Sequence, residues 1–328
     1  MSEHEKWLVT GGAGYIGSHV ADILLTAGKD IVIYDSLHNG LGARVEYLRN
    51  KHKKDVPLVV SDIRNFDIFK KTLEADSFKG IIHSAALKSV AESMEKPADY
   101  FEVNFHATKR ILEFASVFDI RHFIFSSTAA VYGVSDNSYP IKEDDKQSPM
   151  SPYGESKRAA EIEVAKFHAC AGNYGTSLRF FNVVGTAAFE LIDNSVENLV
   201  PSVIRKLKNN DPPEIFGMDY STPDGTCIRD YVDVRDIAIA HLLVCNSEFR
   251  LPFAMNVGTG RGISVKEVVE VICRTFSEVG LHFKEDNRRI GDPESLFADV
   301  SLIQKTLGFT SKFTFDSSIM SLTGNPKN

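Results

Sequence analysis

Short runs of apolar and β-branched residues alternate with longer stretches of helical spacing through the first 182 residues. The runs Trp7–Thr10, Ile31–Asp35, Val56–Val60, Gly80–Ser84, His122–Ser126 and Ser177–Phe181 are apolar at consecutive positions, as strands covered on both faces must be. Segments 18–28, 41–51, 65–76, 97–119 and 153–171 carry the spacing of helices that cover such a sheet. Repeated strand–helix–strand units fold with right-handed crossovers, so the pattern predicts an α/β fold, a Rossmann-type doubly wound parallel sheet over residues 1–182. Two helices are apolar around most of their circumference, Tyr100–Phe118 and the one opening near Tyr153 with Ala160, Ile162, Val164 and Phe167. A homodimer interface and burial beneath a second lobe would account for them equally.

Beyond residue 182 the regularity fails at Asn194, Asn198, Pro201, Asn209–Pro213 and Pro223–Thr226. Residues 183–328 therefore read as a smaller C-terminal α/β substrate lobe. Tyr231–Val244 and Phe253–Val257 regain helix and strand character, so segments near 228–260 are expected to return to the first sheet. The charged run Lys142–Lys146 reads as a solvated loop.

A net charge of −7 without a basic cluster argues against nucleic acid or an anionic membrane as partner. No apolar run approaches the roughly 18 residues of a membrane span, and the polar N-terminus lacks the apolar core of a signal peptide. Cys170, Cys227, Cys245 and Cys273 are too scattered for a zinc site or a disulfide framework and read as buried small hydrophobes. A cytoplasmic enzyme is the simplest expectation.

The chemistry begins at the end of the first strand. Thr10-Gly-Gly-Ala-Gly-Tyr-Ile-Gly17 runs from a strand into a helix, placing Gly11, Gly14 and Gly17 where a backbone must approach a pyrophosphate. The second strand ends in Asp35, where a carboxylate would accept a hydrogen bond from a ribose hydroxyl and repel a 2′-phosphate. No arginine follows in Ser36-Leu-His-Asn39, so NAD is expected rather than NADP.

Ser151-Pro-Tyr-Gly-Glu-Ser-Lys157 places Tyr153 and Lys157 four apart, on one face of a helix that starts there. A phenol titrates near about 10, and bringing it to neutrality needs roughly 4 kcal/mol of preferential phenolate stabilisation, which a lysine and a nicotinamide cation in a dry site can supply. Tyr47 and Lys51 share the spacing but lie in a charged stretch. What sets Tyr153 apart is the strand Phe123–Phe125, which runs into Ser126, Ser127 and Thr128 about 25 residues earlier, at the sheet edge where ligands bind.

With these motifs the chain resembles the extended short-chain dehydrogenase/reductases, and among them the UDP-glucose (UDP-galactose) 4-epimerases. The resemblance spans nearly the whole chain, through Ser61–Asn65, His83–Lys88, Val90–Pro97, Asn104, Ser126–Gly133, Arg179–Asn182, Ile215–Gly217, Arg229–Tyr231 and Asn256–Gly260. It implies NAD contacts from Tyr15, Ile16, Asp35, Asn39, Asp62, Ile63, Ala85, Lys88, Asn104, Tyr153, Lys157 and Phe181. It also implies that Thr128 and Tyr153 hydrogen-bond the reacting C4 hydroxyl, with Tyr153 as base and Lys157 orienting the nicotinamide ribose. Asn182, Asn198, Ile215, Phe216, Arg229, Arg289 and Asp292 would hold the UDP part of the substrate, with Leu296 at the sugar. Related dehydratases and decarboxylases usually place an acid shortly after the strand-end hydroxyl; Ala129-Ala-Val131 stands there instead. Departures from the family pattern at Phe180, Val183, Leu296 and the short stretch Gly185–Asn198 cluster around the expected sugar pocket.

Overall fold

The computed structural model describes residues 6–38, 41–133, 140–195, 197–276, 283–288 and 293–324. Its main sheet is built from β1 (Lys6–Thr10), β2 (Asp30–Asp35), β3 (Leu58–Val60), β4 (Gly80–His83), β5 (His122–Thr128) and β6 (Tyr174–Phe180). Later strands are β7 (Asn182–Val184), β8 (Glu214–Phe216), β9 (Ile228–Asp233), β10 (Ala254–Val257), β11 (Gly262–Ser264), β12 (Lys284–Asp286) and β13 (Ser295–Leu296). The main sheet is parallel in the order β10-β6-β5-β4-β1-β2-β3.

The consecutive apolar positions have the reason that the sequence pattern implied. Trp7 and Val9 enter one core with Ile31, Ile33, Ile82 and Ile124, whereas Leu8 enters the opposite core with Val32, Tyr34, Ile81, Phe123 and Phe125. Both faces of the central strands are covered, so both sets of alternate positions are mainly apolar.

The covering helices include α1 (Tyr15–Thr26), α2 (Gly42–His52), α3 (Phe66–Glu74), α4 (Val90–Glu95), α5 (Pro97–Tyr100), α6 (Ala107–Val117) and α7 (Pro152–Ala169). Pattern and structure differ at the helix expected over 97–119, where a π-helical turn, Phe101–His106, separates α5 from α6. The strand expected at Ser177–Phe181 starts earlier, at Tyr174, because β6 pairs with β5 from His122↔Tyr174 onward. β10 joins β6 in parallel, Ala254 opposite Ser177, as the seventh strand.

The remaining strands form small sheets, β11-β9-β13 with β7 beside β9, and β8-β12. With α8 (Leu199–Lys208), α9 (Val234–Cys245) and α10 (Val265–Phe276), the C-terminal half divides: α9 packs on α1, while α8 and α10 surround a separate core containing Val203, Ile215, Tyr231 and Ile272.

Two expectations are corrected. Cys170 is exposed, although Cys227, Cys245 and Cys273 are buried and all four are free thiols. Lys142–Lys146 is not simply solvated: Glu143 accepts the Asn256 backbone N–H at 2.8 Å and its carbonyl accepts from Arg179 at 2.9 Å. No helix among the described residues is long and apolar enough to cross a membrane.

Candidate active site

The strand order reverses between β1 and β4, which opens a crevice at their carboxyl ends. The glycine loop fills the β1 side of it. Gly11 has φ +68°, and a Cβ there would lie 2.5 Å from the Ala85 nitrogen after β4. A Cβ on Gly17 would lie 2.1 Å from the Gly11 carbonyl oxygen. Gly14 is the N-cap of α1 in extended backbone, and no side chain caps the first turn. Donor groups at the start of α1, including those of Tyr15 and Ile16, thus face a cradle that any side chain at Gly14 would occupy, and they fit a pyrophosphate.

Asp35 is buried, accepting Ala13 N–H at 3.0 Å and Leu37 N–H at 2.8 Å, so its carboxylate is held against this loop. Arg44, which the sequence reading missed, donates to the Ala13 carbonyl at 3.1 Å and to the Ile192 carbonyl at 2.6 Å. The Tyr15 hydroxyl donates to the Gly185 carbonyl at 2.6 Å, and Lys88 pairs with Asp193 at 3.4 Å. The segment after Gly185 therefore folds back against the glycine loop. Asp62 pairs through both oxygens with Arg64, which holds its carboxyl below the usual range. Ile63 is buried in the core beside β2.

Asn104 lies in the π turn and is fully engaged: its Oδ1 accepts from Leu87 N–H at 2.9 Å, and its Nδ2 donates to the Leu87 carbonyl at 3.0 Å and Ser156 Oγ at 3.1 Å. The extra residue of a π turn re-aims a side chain that regular helical spacing would place elsewhere. The residue thus ties the loop carrying Ala85 and Lys88 to α7. His83 is buried between the Thr10 and Thr108 hydroxyls, at 2.6 and 2.9 Å, and burial lowers its pKa to about 3, so it is a neutral packing residue.

The expected reacting groups meet where β5 ends. Ser151 caps α7 by accepting the Gly154 N–H at 3.2 Å, and Pro152 occupies the first turn, which starts the helix just before Tyr153. The Thr128 hydroxyl lies beside the Tyr153 phenol, close enough to favour its ionised form. Lys157 is buried and donates to the Ser126 carbonyl at 2.9 Å. Burial lowers its pKa to about 7, opposed by the Glu161 carboxylate.

The protein alone does not give the acidic phenol expected from the tyrosine–lysine spacing. Burial raises the Tyr153 pKa, and the neighbouring Thr128 hydroxyl offsets only part of it. The reason is dehydration of both groups: the phenolate loses water, while Lys157 is committed to a backbone carbonyl and itself disfavours its charge.

On the expected substrate side, Phe181 packs with Ala129, Val131, Tyr132, Ile141 and Ala298, and Leu296 rests against this cluster. Asn182 begins β7 opposite Tyr231, and Leu296 pairs in register with Arg229, whose Nη1 donates to the Ile228 carbonyl at 2.7 Å. Asn198 donates to Asp193 at 2.7 Å. Phe216 is partly exposed on β8, and the side chain of Ile215 beside it is buried in the C-terminal core. Asn39, Arg289 and Asp292 lie outside the described residues.

The chain is similar to UDP-glucose 4-epimerase of Halalkalibacterium halodurans, 38% identical over 315 residues that cover 93% of this chain and 90% of the relative. It is 36% identical to UDP-glucose 4-epimerase of Corynebacterium glutamicum, covering 94% and 92%. Among solved structures, UDP-glucose 4-epimerase of Stenotrophomonas maltophila with bound NAD and formylated UDP-arabinopyranose matches at a TM-score of 0.91, 34% identity and 98% of each chain. The Bifidobacterium longum enzyme with NAD+ and UDP matches at 0.90 and 32%, again over 98% of each chain. The sequence model of one family covers residues 7–258, and the protein belongs to that family, the NAD dependent epimerase/dehydratases.

Proposed function

We propose that the protein interconverts UDP-glucose and UDP-galactose by NAD-dependent inversion at C4 of the hexose. The observation that carries this reading is the meeting of Thr128, Tyr153 and Lys157 at the end of β5, beside the glycine-loop crevice. Similarity to named epimerases over most of the chain supports it.

Gly11, Gly14, Gly17, Tyr15 and Ile16 would hold the pyrophosphate of NAD, Asp35 a ribose, and Lys157 the nicotinamide ribose. When bound, NAD supplies a positive ring charge and the capacity to take a hydride from C4 and return it to the opposite face of the transient 4-keto sugar. Tyr153 removes the C4 hydroxyl proton and gives it back, and Thr128 holds that hydroxyl in line. Phe181 would border the nicotinamide, and Asn104 fixes the loop of Ala85 and Lys88. Asn182, Asn198, Phe216, Arg229, Arg289 and Asp292 anchor UDP, so that the sugar keeps few fixed contacts and can turn over.

Purification without added cofactor, followed by absorbance and fluorescence for retained NAD(H), tests the first half of this reading. Offering UDP-galactose, UDP-N-acetylgalactosamine and UDP-glucuronate in parallel tests the second. Conversion of UDP-galactose to UDP-glucose is expected; release of carbon dioxide from UDP-glucuronate, or no conversion at all, would overturn it.

We further propose a homodimer through α6 and α7 and a cytoplasmic place in galactose metabolism. Val117 and Ile162 are 75% and 46% exposed on these helices, and Phe101 stacks edge-on to Phe105 beside them. Sedimentation of the wild-type protein should give twice the chain mass, and Ile162→Glu should halve it.

A further inference from the structure

Each of the last three residues of β5 faces a residue of α7, two of them through hydrogen bonds, and the helix positions fall four apart. The Thr128 hydroxyl meets Tyr153, the Ser126 carbonyl accepts from Lys157, and the Ser127 hydroxyl donates to Glu161. Positions 153, 157 and 161 form one stripe on the helix. The third rung touches neither of the first two side chains' reacting ends, yet it is the most elaborately held of the three.

Glu161 is 2% exposed and Arg179 of β6 is 0% exposed. Arg179 Nε lies 3.0 and 3.1 Å from the two Glu161 oxygens, and its Nη2 donates to Oε2 at 2.7 Å. Its Nη1 donates to the Tyr132 hydroxyl at 2.7 Å, and Tyr132 donates on to Asn256 Oδ1 of β10 at 2.7 Å. Gln147 adds a bond to Glu161 at 3.3 Å. The network thus joins α7 to β5, β6 and β10.

Such a pair adds little net stability, because stripping two charges of water offsets much of their attraction. What it supplies is geometry, since a guanidinium fork on a carboxylate admits few orientations. We infer that Glu161, clamped by Arg179, is a positioning residue for the reaction: it locks the rotation and axial register of α7 on β5, and so presents Tyr153 and Lys157 to the strand end.

The inference rests on the roles proposed above for those two residues. The same carboxylate also acts on Lys157 through space. Among the described residues, Glu161 on its own helix and His83 from β4 are the ionisable groups that interact with Lys157, with Arg179 of β6 behind Glu161 and Tyr153 one turn earlier on α7. His83 is neutral, so Glu161 is the group that favours the ammonium. Without that carboxylate, Lys157 loses its proton at lower pH.

The test compares wild type, Ser127→Ala, Glu161→Gln and Glu161→Asp as purified holoenzymes with UDP-galactose. Ser127→Ala leaves the ion pair intact and removes only the rung. It should lower kcat about tenfold, with KM, NAD content and melting temperature unchanged, as a small misplacement of reacting groups does. Glu161→Gln should lower kcat further and move the alkaline limb of the kcat profile to lower pH, and Glu161→Asp should restore that limb. Wild-type kcat in Ser127→Ala overturns the inference, as does a folded Glu161→Gln enzyme with the parental pH profile. If Glu161→Gln does not fold, the kcat-against-KM split of Ser127→Ala decides. Absence of epimerisation in the wild type would overturn the proposed function instead, which separates the two failures.

Discussion

Lys157 donates to the carbonyl oxygen of Ser126 at 2.9 Å, with its ammonium 4.5 Å from the centre of the Phe125 ring. Its charge is therefore held under the strand end, out of water, and its pKa falls to about 7. The unfolded chain, with a lysine near 10.5, binds more protons than the folded one across the window between these values. Stability from this group consequently rises with pH from about 7 to 10.5 and is lowest below 7. Lys157→Met should raise the urea midpoint relative to wild type at pH 6 more than at pH 9, while reducing kcat by about 10²–10⁴. Equal shifts at both pH values would show that Lys157 is not desolvated in the folded protein.

Tyr153→Phe removes one oxygen from a side chain whose ring packs edge-on against Tyr100 at 6.3 Å. The ring contact survives, so retained NAD should match wild type while kcat falls by roughly 10²–10⁴. Turnover near wild type in a coupled assay would remove Tyr153 from the mechanism.

Three buried histidines set the acid limit. Burial lowers His19 and His241 to about 4 and His83 to about 3, each from 6.5. As pH falls below 6.5 the unfolded chain takes up protons that the folded chain refuses, so stability is lost until the folded values are reached. Each histidine should cost about 2 kcal/mol between pH 7 and pH 5. His83→Gln should flatten the dependence of the melting temperature on pH; an unchanged slope would place a charged His83 in the core.

At the glycine loop, Gly14→Val would fill the space before the first turn of α1, with the Gly11 carbonyl 3.0 Å from the added Cβ. The variant should fold and purify without NAD(H), as read by absorbance. Gly17→Ala, whose Cβ would meet the Gly11 carbonyl at 2.1 Å, should instead lower the melting temperature.

Leu296 rests on the cluster around Phe181. Leu296→Ala enlarges this corner without introducing a polar group, and should raise kcat/KM for UDP-N-acetylgalactosamine relative to UDP-galactose. A fixed ratio would show that this side chain does not face the sugar.

The same tyrosine–lysine spacing occurs twice, and only its surroundings separate the two. Lys51 on α2 pairs with Asp22 of α1 at 2.7 Å over the Tyr47 ring. Lys157 faces the end of β5. The hydroxyl run Ser126–Thr128 made that difference legible, because strand ends are readable from where an apolar run stops. Arg44 and Glu161 carried no comparable mark, since an arginine or a glutamate on a helix reads as solvated until its partner is known.

By itself the sequence determined the strands and helices of the first half, the glycine turn, the acid ending β2 and the tyrosine–lysine stripe on α7. Those features depend on neighbours within a few residues, through periodicity, capping and the freedom of glycine. Only the tertiary structure decided that β10 closes the sheet, that a π turn aims Asn104 at Leu87, and that Arg179 and Glu161 meet out of water. These depend on partners far apart in the chain, and the cost of burying a polar group is recovered only when the fold brings its partner to it.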